Sequence, residues 1–404
     1  MTLTATQRES SLAISPYNCK ITHCKDFPEF HTNTNNMASV TDESEVRDSV
    51  KEYYGKKLKT VDDLQTQACV APGRKVTKPV REAIELVHEV VASKYYGCGL
   101  VIPEKLEGMK ILDLGSGSGR DCYALSKLVG PTGHVTGVDM TDEQLDVARE
   151  YIGYHTKKFG YTKPNIDFVK GYIEKLSEAG LPSNNYDIIV SNCVVNLSPD
   201  KRAVLQESYN VLKEGGELFF SDVYADRTLE ESVRKHKVLW GECIAGALWW
   251  KELHNLASEI GFSKPYMVTA TPIPVDRDDF KAVLGDAKFA SVTYRLFKLP
   301  SKKCEATQVI YNGDIPCYEE VFTFDYKNRF KTNDISSVDG SITTALKSSR
   351  FCDEFDFQPA VKKSCGTSDG SADSQPDDPF VYLDEKIKKG ENVVPPPCCG
   401  SKCC

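Results

Sequence analysis

The run Lys110-Ile111-Leu112-Asp113-Leu114-Gly115-Ser116-Gly117-Ser118-Gly119-Arg120-Asp121 constrains this chain more than any other stretch. An apolar, strand-like segment runs straight into glycines at every second position. Glycine carries no Cβ, so such a turn lets the backbone approach a bound molecule closely. To act in that way the turn needs a strand before it and a helix after it. Residues 121–129 read as that helix, and residues 134–139 as a second strand ending in Asp139.

The alternation continues. Residues 142–159 read as a helix capped by Thr141 or Asp142, residues 166–169 and 188–190 as strands, and residues 201–212 as a helix closed by Gly215-Gly216. A fifth strand covers residues 217–221. Strands alternating with helices predict a parallel, doubly wound sheet. Upstream, residues 42–64 are charged and helix-friendly. Val80, Ala83, Ile84, Val87, Val90 and Val91 then share one helical face, and the helix stops at Gly97-Cys98-Gly99. Residues 226–262 read as helical, with Trp240, Trp249 and Trp250 around Cys243. From about residue 265 strand-like runs return, predicting a smaller β-rich unit. No internal repeat is visible.

Two cofactors suit a glycine turn followed by an acidic residue that can hold ribose hydroxyls, the place of Asp139. A dinucleotide site wants a third glycine three residues after the second, where Arg120 stands. The form seen here, with Asp113 before the turn, better suits S-adenosylmethionine.

A net charge of −8 over 404 residues argues against a nucleic-acid partner, since binding phosphates calls for a basic face. No apolar run has the length of a membrane span, and the polar first 36 residues show no signal-peptide core. That leader is expected to be disordered, with Met37 as an alternative start. Fifteen cysteines without a secretory signal then read as thiols in a reducing, cytoplasmic setting.

For any one cysteine, packing as a small hydrophobe is the simpler reading, and Cys122 fits it. Cys193 follows strand four at the carboxyl edge of the sheet, where open α/β folds place reactive groups. Cys243 sits among tryptophans, and Cys69 and Cys98 lie in glycine- or proline-containing loops. No CxxC pair or paired-histidine spacing supports a structural zinc site. The tail pairs Cys398-Cys399 and Cys403-Cys404 offer soft-metal ligands without a defined frame.

Taken together, YGKKLKTVDDLQTQAC, YYGCGLVIPE, ILDLGSGSGRDCY, HVTGVDMT, GYIEKL, SNCVVNL, GGELFFSDVY and HKVLWGEC resemble the animal arsenite methyltransferases, from about residue 45 to the C-terminal cysteines. The resemblance implies a Rossmann-like class I methyltransferase core, an arsenic-binding region and a smaller β-containing C-terminal domain. The expected divisions are a leader at 1–40, the core at 41–225, the arsenic-binding region at 226–295, the C-terminal domain at 296–390 and a Cys-rich tail at 391–404. It also implies Cys193 and Cys243 as arsenic ligands, Cys98 as the third, and Cys69 as the partner that forms a disulfide with Cys98 during turnover. Thioredoxin or glutathione would reset the enzyme. Tyr96, Gly115, Ser116, Gly117, Asp139, Met140, Gln144, Ile173, Glu174 and Asn192 match positions lining the S-adenosylmethionine pocket. A monomer is expected.

Trivalent arsenic is thiophilic, so thiolates are its natural ligands. Two rivals stand beside this reading. A methyltransferase acting on an organic nucleophile would need a general base, and no carboxylate or histidine stands out for it. A non-catalytic arsenic- or metal-sequestering protein would bind through thiols without transferring methyl. An NAD-dependent oxidoreductase is disfavoured by Arg120.

Overall fold

A computed structural model describes residues 43–57, 76–94, 100–359, 377–391 and 393. Helix α1 (Glu43–Glu52) runs into a π-helical turn (Tyr53–Lys57), and α2 (Lys78–Glu85) and α3 (Glu89–Ala92) follow. Next come β1 (Lys110–Leu114), α4 (Arg120–Val129), β2 (His134–Asp139), α5 (Asp142–Glu150), α6 (Ile152–Phe159) and β3 (Ile166–Lys170). After β4 (Tyr186–Asn192), α7 (Lys201–Val211) and β5 (Leu212–Ala225), the chain forms α8 (Glu231–Arg234) and α9 (Lys237–Gly241). Then come β6 (Leu248–Trp249), α10 (Trp250–Ile260), β7 (Tyr266–Ile273), α11 (Asp278–Leu284) and β8 (Phe289–Phe297). The last elements are β9 (Thr307–Tyr311), β10 (Val321–Thr323), β11 (Arg329–Lys331), β12 (Ile335–Val338), α12 (Gly340–Ser348), β13 (Phe355–Pro359) and α13 (Pro379–Lys388).

The main sheet has the order β3-β2-β1-β4-β5-β8-β7, with β6 beside β5. Strands β1 to β5 are parallel, while β8 runs antiparallel to β5 and β7 antiparallel to β8. The doubly wound parallel sheet is therefore present, extended by an antiparallel edge. Chain order reverses between β1 and β4, and such a reversal opens a crevice at the carboxyl ends of the strands.

The central strands are covered on both faces, so they are apolar at successive positions rather than alternate ones. Leu112, Leu114 and Ile189 pack against Val204 and Leu205 of α7 and Leu253 and Ala257 of α10. On the other face Ile111, Val135 and Ile188 meet Tyr123 and Leu125 of α4 and Leu145 and Ala148 of α5.

The long helices expected at 80–91 and 142–159 are each broken in two. The His88 Nδ1 accepts from the Val90 amide at 3.2 Å and so starts α3 afresh. Its own amide donates to His155 Nε2 at 3.1 Å, while His155 Nδ1 meets the Tyr151 carbonyl at 2.8 Å, at the break between α5 and α6. Tertiary histidine contacts override the periodicity.

The smaller β unit begins at β9, not near residue 265. Strands β7 and β8 are apolar enough to be buried against β5 instead, every residue of β8 being buried. Beyond them β12-β9-β13 form one small sheet and β10-β11 another, closed over Tyr311, Phe322, Phe330, Phe351 and Phe355. Cys69, Tyr96, Cys98, the leader at 1–40 and the tail cysteines lie outside the described residues. Among the described residues no helix is long and apolar enough to cross a membrane.

Candidate active site

The glycine turn is shaped by backbone demands that only glycine meets. Gly115, Gly117 and Gly119 have φ of 69°, 52° and 87°, a region that costs other residues energy. A Cβ on Gly115 would stand 2.5 Å from the Val194 side chain, and one on Gly119 2.7 Å from the Phe168 ring. The Gly115 and Ser116 amides both donate to the Val138 carbonyl, at 2.8 and 3.0 Å, tying the turn to β2. At the end of β2 the Asp139 carboxylate accepts from the Gly117 amide at 2.9 Å and the Thr141 amide at 2.8 Å. Burial raises the Asp139 pKa against the pull of these bonds.

Around this turn lies a cleft lined by Asp113, Gly115, Ser116, Gly117, Asp139, Met140, Gln144, Ile173, Glu174, Asn192 and Cys193. The structure thus gathers residues from four separate motifs into one wall. Sequence reasoning missed the opposite wall: Arg47 and Val50 of α1 and Tyr54 of the π-helical turn. Arg47 is ion-paired with Glu174, and Gln144 Nε2 donates to the Tyr54 carbonyl at 3.3 Å. In sequence α1 reads only as a charged, helix-friendly segment. Only the spacing of Val46 and Val50, buried one turn apart, carries a signal of its docking.

Asp113 is buried below the turn, where Cys122 Sγ donates to its Oδ2 at 3.0 Å. Burial, helped by the nearby charge of Asp121, pushes the Asp113 pKa up to about 8. Burial and Asp113 in turn push the Cys122 thiol well above the usual range, so Cys122 packs and is unreactive. The cleft also holds buried polar atoms that have no partner among the described residues, Ser116 Oγ and Gln144 Oε1. Bare glycine backbone, an acidic strand end and these unused atoms fit a nucleoside carrying a polar amino-acid tail.

Cys193 follows β4 directly, its amide donating to the Ser221 carbonyl at 2.8 Å. Cys243 follows α9, its amide donating to the Trp240 carbonyl at 3.0 Å. Both are left-handed, with φ of 55° and 62°. Non-glycine residues in that region are uncommon and gather at functional sites, although Lys105, Asn184, Cys317 and Asn333 share it here. The Cys243 thiol donates to the Cys193 carbonyl at 3.0 Å. Both side chains are buried in one apolar cluster with Val50 and Leu197, against which Trp240 packs. Trp240 Nε1 donates to the Leu197 carbonyl at 3.1 Å, binding the two cysteine segments together.

Two expectations need correction. The tryptophans do not all surround Cys243: pairing of β6 with β5 carries Trp249 and Trp250 into the core of the α7–α10 face, leaving Trp240 alone beside the cysteines. Cys193 is disulfide-bonded rather than free. Among the described residues, Cys122, Cys243, Cys304, Cys317 and Cys352 form no disulfide. A ligand role for Cys193 therefore requires reduction first.

A doubly wound sheet with a glycine turn and an acidic strand end at its topological switch defines a Rossmann-like methyltransferase, and residues 105–261 match the family model for a methyltransferase domain. Residues 304–404 match the model for the arsenite methyltransferase C-terminal domain. The chain is 50% identical to an arsenite methyltransferase of Homo sapiens over 91% of its own length and 99% of the relative's. It is 45% identical to one of Aquipseudomonas alcaligenes, over 82% and 96%. A crystal structure of an arsenic(III) S-adenosylmethionine methyltransferase from Chlamydomonas reinhardtii superposes with a TM-score of 0.68 at 43% identity, covering 72% of this chain and 99% of that one. The chain belongs to the arsenite methyltransferase family.

Proposed function

We propose that this chain transfers methyl groups from S-adenosylmethionine to thiolate-bound trivalent arsenic, giving methylated arsenicals. One observation carries the reading. Two cysteines far apart in sequence meet at the end of the cofactor cleft, the Cys243 thiol 3.0 Å from the Cys193 carbonyl, with Cys193 lining the cleft itself.

S-adenosylmethionine supplies a methyl group made electrophilic by a sulfonium. Asp139 would hold its ribose, the turn at Gly115–Gly117 would admit its amino-acid tail, and Asn192, Met140, Gln144, Ile173 and Glu174 would line the remainder. Cys193 and Cys243, with Cys98 as the third ligand, would hold arsenic pyramidal with its lone pair toward the methyl. Holding nucleophile and electrophile in line is the main task of such a site. Packing of Trp240 and Leu197 on the cysteine segments excludes water from it.

The electrons balance as follows. The arsenic lone pair forms the As–C bond as the S–CH₃ bond breaks and its pair stays on sulfur. Arsenic becomes formally pentavalent. Two thiolates, assigned to Cys69 and Cys98, then supply two electrons by joining in a disulfide, and arsenic returns to the trivalent state. Thiol–disulfide exchange with thioredoxin or glutathione restores the thiols. The same exchange would free Cys193 from its present disulfide. A cytoplasmic monomer completes the reading.

Purified protein incubated with arsenite, S-adenosylmethionine and a thiol reductant should yield methylated arsenic by speciation. Cys193→Ser and Cys243→Ser should each lower the rate by on the order of 10²-fold or more, the scale of a misplaced reacting atom. Retained arsenic methylation in both variants would remove the two cysteines from the ligand set, and no methylated arsenic from the unaltered protein would return the chain to the organic-substrate reading.

A further inference from the structure

One element touches both halves of the site. On α1, Val46 and Val50 are buried, while Arg47 on the neighbouring face lines the cofactor cleft and Lys51, one turn on, reaches the segment that carries Ile173 and Glu174. Arg47 pairs with Glu174, and Lys51 Nζ donates to the Tyr172 hydroxyl at 2.6 Å. The π-helical turn that follows widens the helix and takes Tyr53 and Tyr54 out of its register. Such turns are rare and concentrate at functional sites.

Beyond the turn the contacts change partner. The Tyr53 hydroxyl donates to the Glu242 carboxylate, and the Tyr54 hydroxyl donates to the Gly241 carbonyl at 2.9 Å. The Tyr53 ring lies so close to Gly241 that a Cβ there would be 3.1 Å from it. Residues 241 and 242 immediately precede Cys243. Meanwhile the Tyr54 carbonyl accepts from Gln144 in the cleft. A single residue is thus bonded to the cofactor wall through its backbone and to the Cys243 segment through its side chain.

We propose that α1 with its π-helical turn is a coupling strap, in which Tyr53 and Tyr54 are positioning residues that transmit cofactor occupancy to the Cys243 segment. The proposal rests on the reading that this segment holds arsenic. A cofactor bound against Gln144 and Glu174 stiffens the strap, and the two phenol hydroxyls then fix residues 241–242 and the direction of the Cys243 thiol. Coupling is reciprocal, so bound arsenic raises cofactor affinity by the same factor.

The test uses reduced full-length protein, arsenite titrated by tryptophan fluorescence, and S-adenosylhomocysteine as an unreactive cofactor analogue. In the unaltered protein the analogue should tighten arsenite binding about fivefold or more, the low end of typical coupling. Tyr53→Phe and Tyr54→Phe keep the rings and remove the hydroxyls. Each should bring the factor toward one, and both together to one, and Tyr53→Phe, whose residue lies outside the cleft lining, should leave affinity for the analogue alone unchanged. A purely structural role would instead weaken both affinities and leave their ratio intact. Equal coupling in the variants, or none in the unaltered protein, overturns the proposal. Absence of any arsenite signal in the unaltered protein overturns the functional reading beneath it, a distinguishable result.

Discussion

At Cys243 the backbone sits at φ 62° around a fully buried side chain. An L-residue there costs about 1–2 kcal/mol relative to glycine. Cys243→Ala removes the sulfur and keeps that strain, whereas Cys243→Gly removes both. Denaturant midpoints should therefore rank the Gly variant at or above the Ala variant. Ordinary helix or strand positions rank the other way by about 0.5–1 kcal/mol, and finding that order here would remove the strain from the account. Asp113 makes a second prediction at this scale. Its folded pKa, about 8, is raised above the ordinary value of 3.8 by burial and then by Asp121. A raised folded pKa means that the native state holds the proton longer, so the stability this carboxyl contributes is full below pH 4 and is lost as pH rises through about 8. Stability without cofactor should thus fall between pH 6 and 8, and Asp113→Asn should flatten that slope. An unchanged slope in the variant would place the titration elsewhere.

Among the elements, those governed by local pattern were legible and those governed by partners were not. Strand β2 begins at His134 and ends at Asp139, as read, because buried parallel strands announce themselves by apolar runs bounded by glycine and acidic residues. The glycine turn was legible for the same reason: its φ values and its contacts with Val194 and Phe168 leave no other residue type. The helix breaks at His88 and Tyr151 were invisible, since the His88–His155 bond joins residues 67 apart. Strands β7 and β8 were legible as strands but not as members of the main sheet, because an apolar strand does not name its neighbour. The cysteine pair lay between these cases. Nothing in the spacing of Cys193 and Cys243 brings them together; resemblance assigned them, and the hydrogen bond from the Cys243 thiol to the Cys193 carbonyl joins their segments. Helix α1 was legible as a charged helix but not as a wall of the cleft, since nothing in its sequence says that Arg47 ends on the buried Glu174.

Across the whole molecule, the main sheet and the C-terminal β unit are fastened by buried charge. Arg295 on β8 is fully buried, pairing with Glu104 at 2.7 Å and with Glu217 of β5 at 3.1 Å. Its guanidinium lies 5.3 Å from the Phe219 ring on one side and 5.0 Å from Phe324 on the other. Arg350, just past α12, pairs with Glu217 as well, and its Nε donates to the Glu104 carbonyl at 2.9 Å. Lys105 joins Glu354 alongside. Three cations and three carboxylates balance in charge, and each belongs to a pair that spans distant parts of the chain. Removing one member strands another in a dry environment, at a cost of about 3–5 kcal/mol, which is a large share of typical domain stability. Arg350→Met keeps the side-chain bulk and removes the charge facing Glu217. All three tryptophans lie before residue 251, so their fluorescence reports unfolding of the main sheet alone. If the C-terminal unit folded independently, Arg350→Met would leave the tryptophan transition in guanidinium where it was. Because Glu217 belongs to β5, that transition should instead move to lower denaturant and coincide with the loss of circular dichroism, the two units unfolding as one.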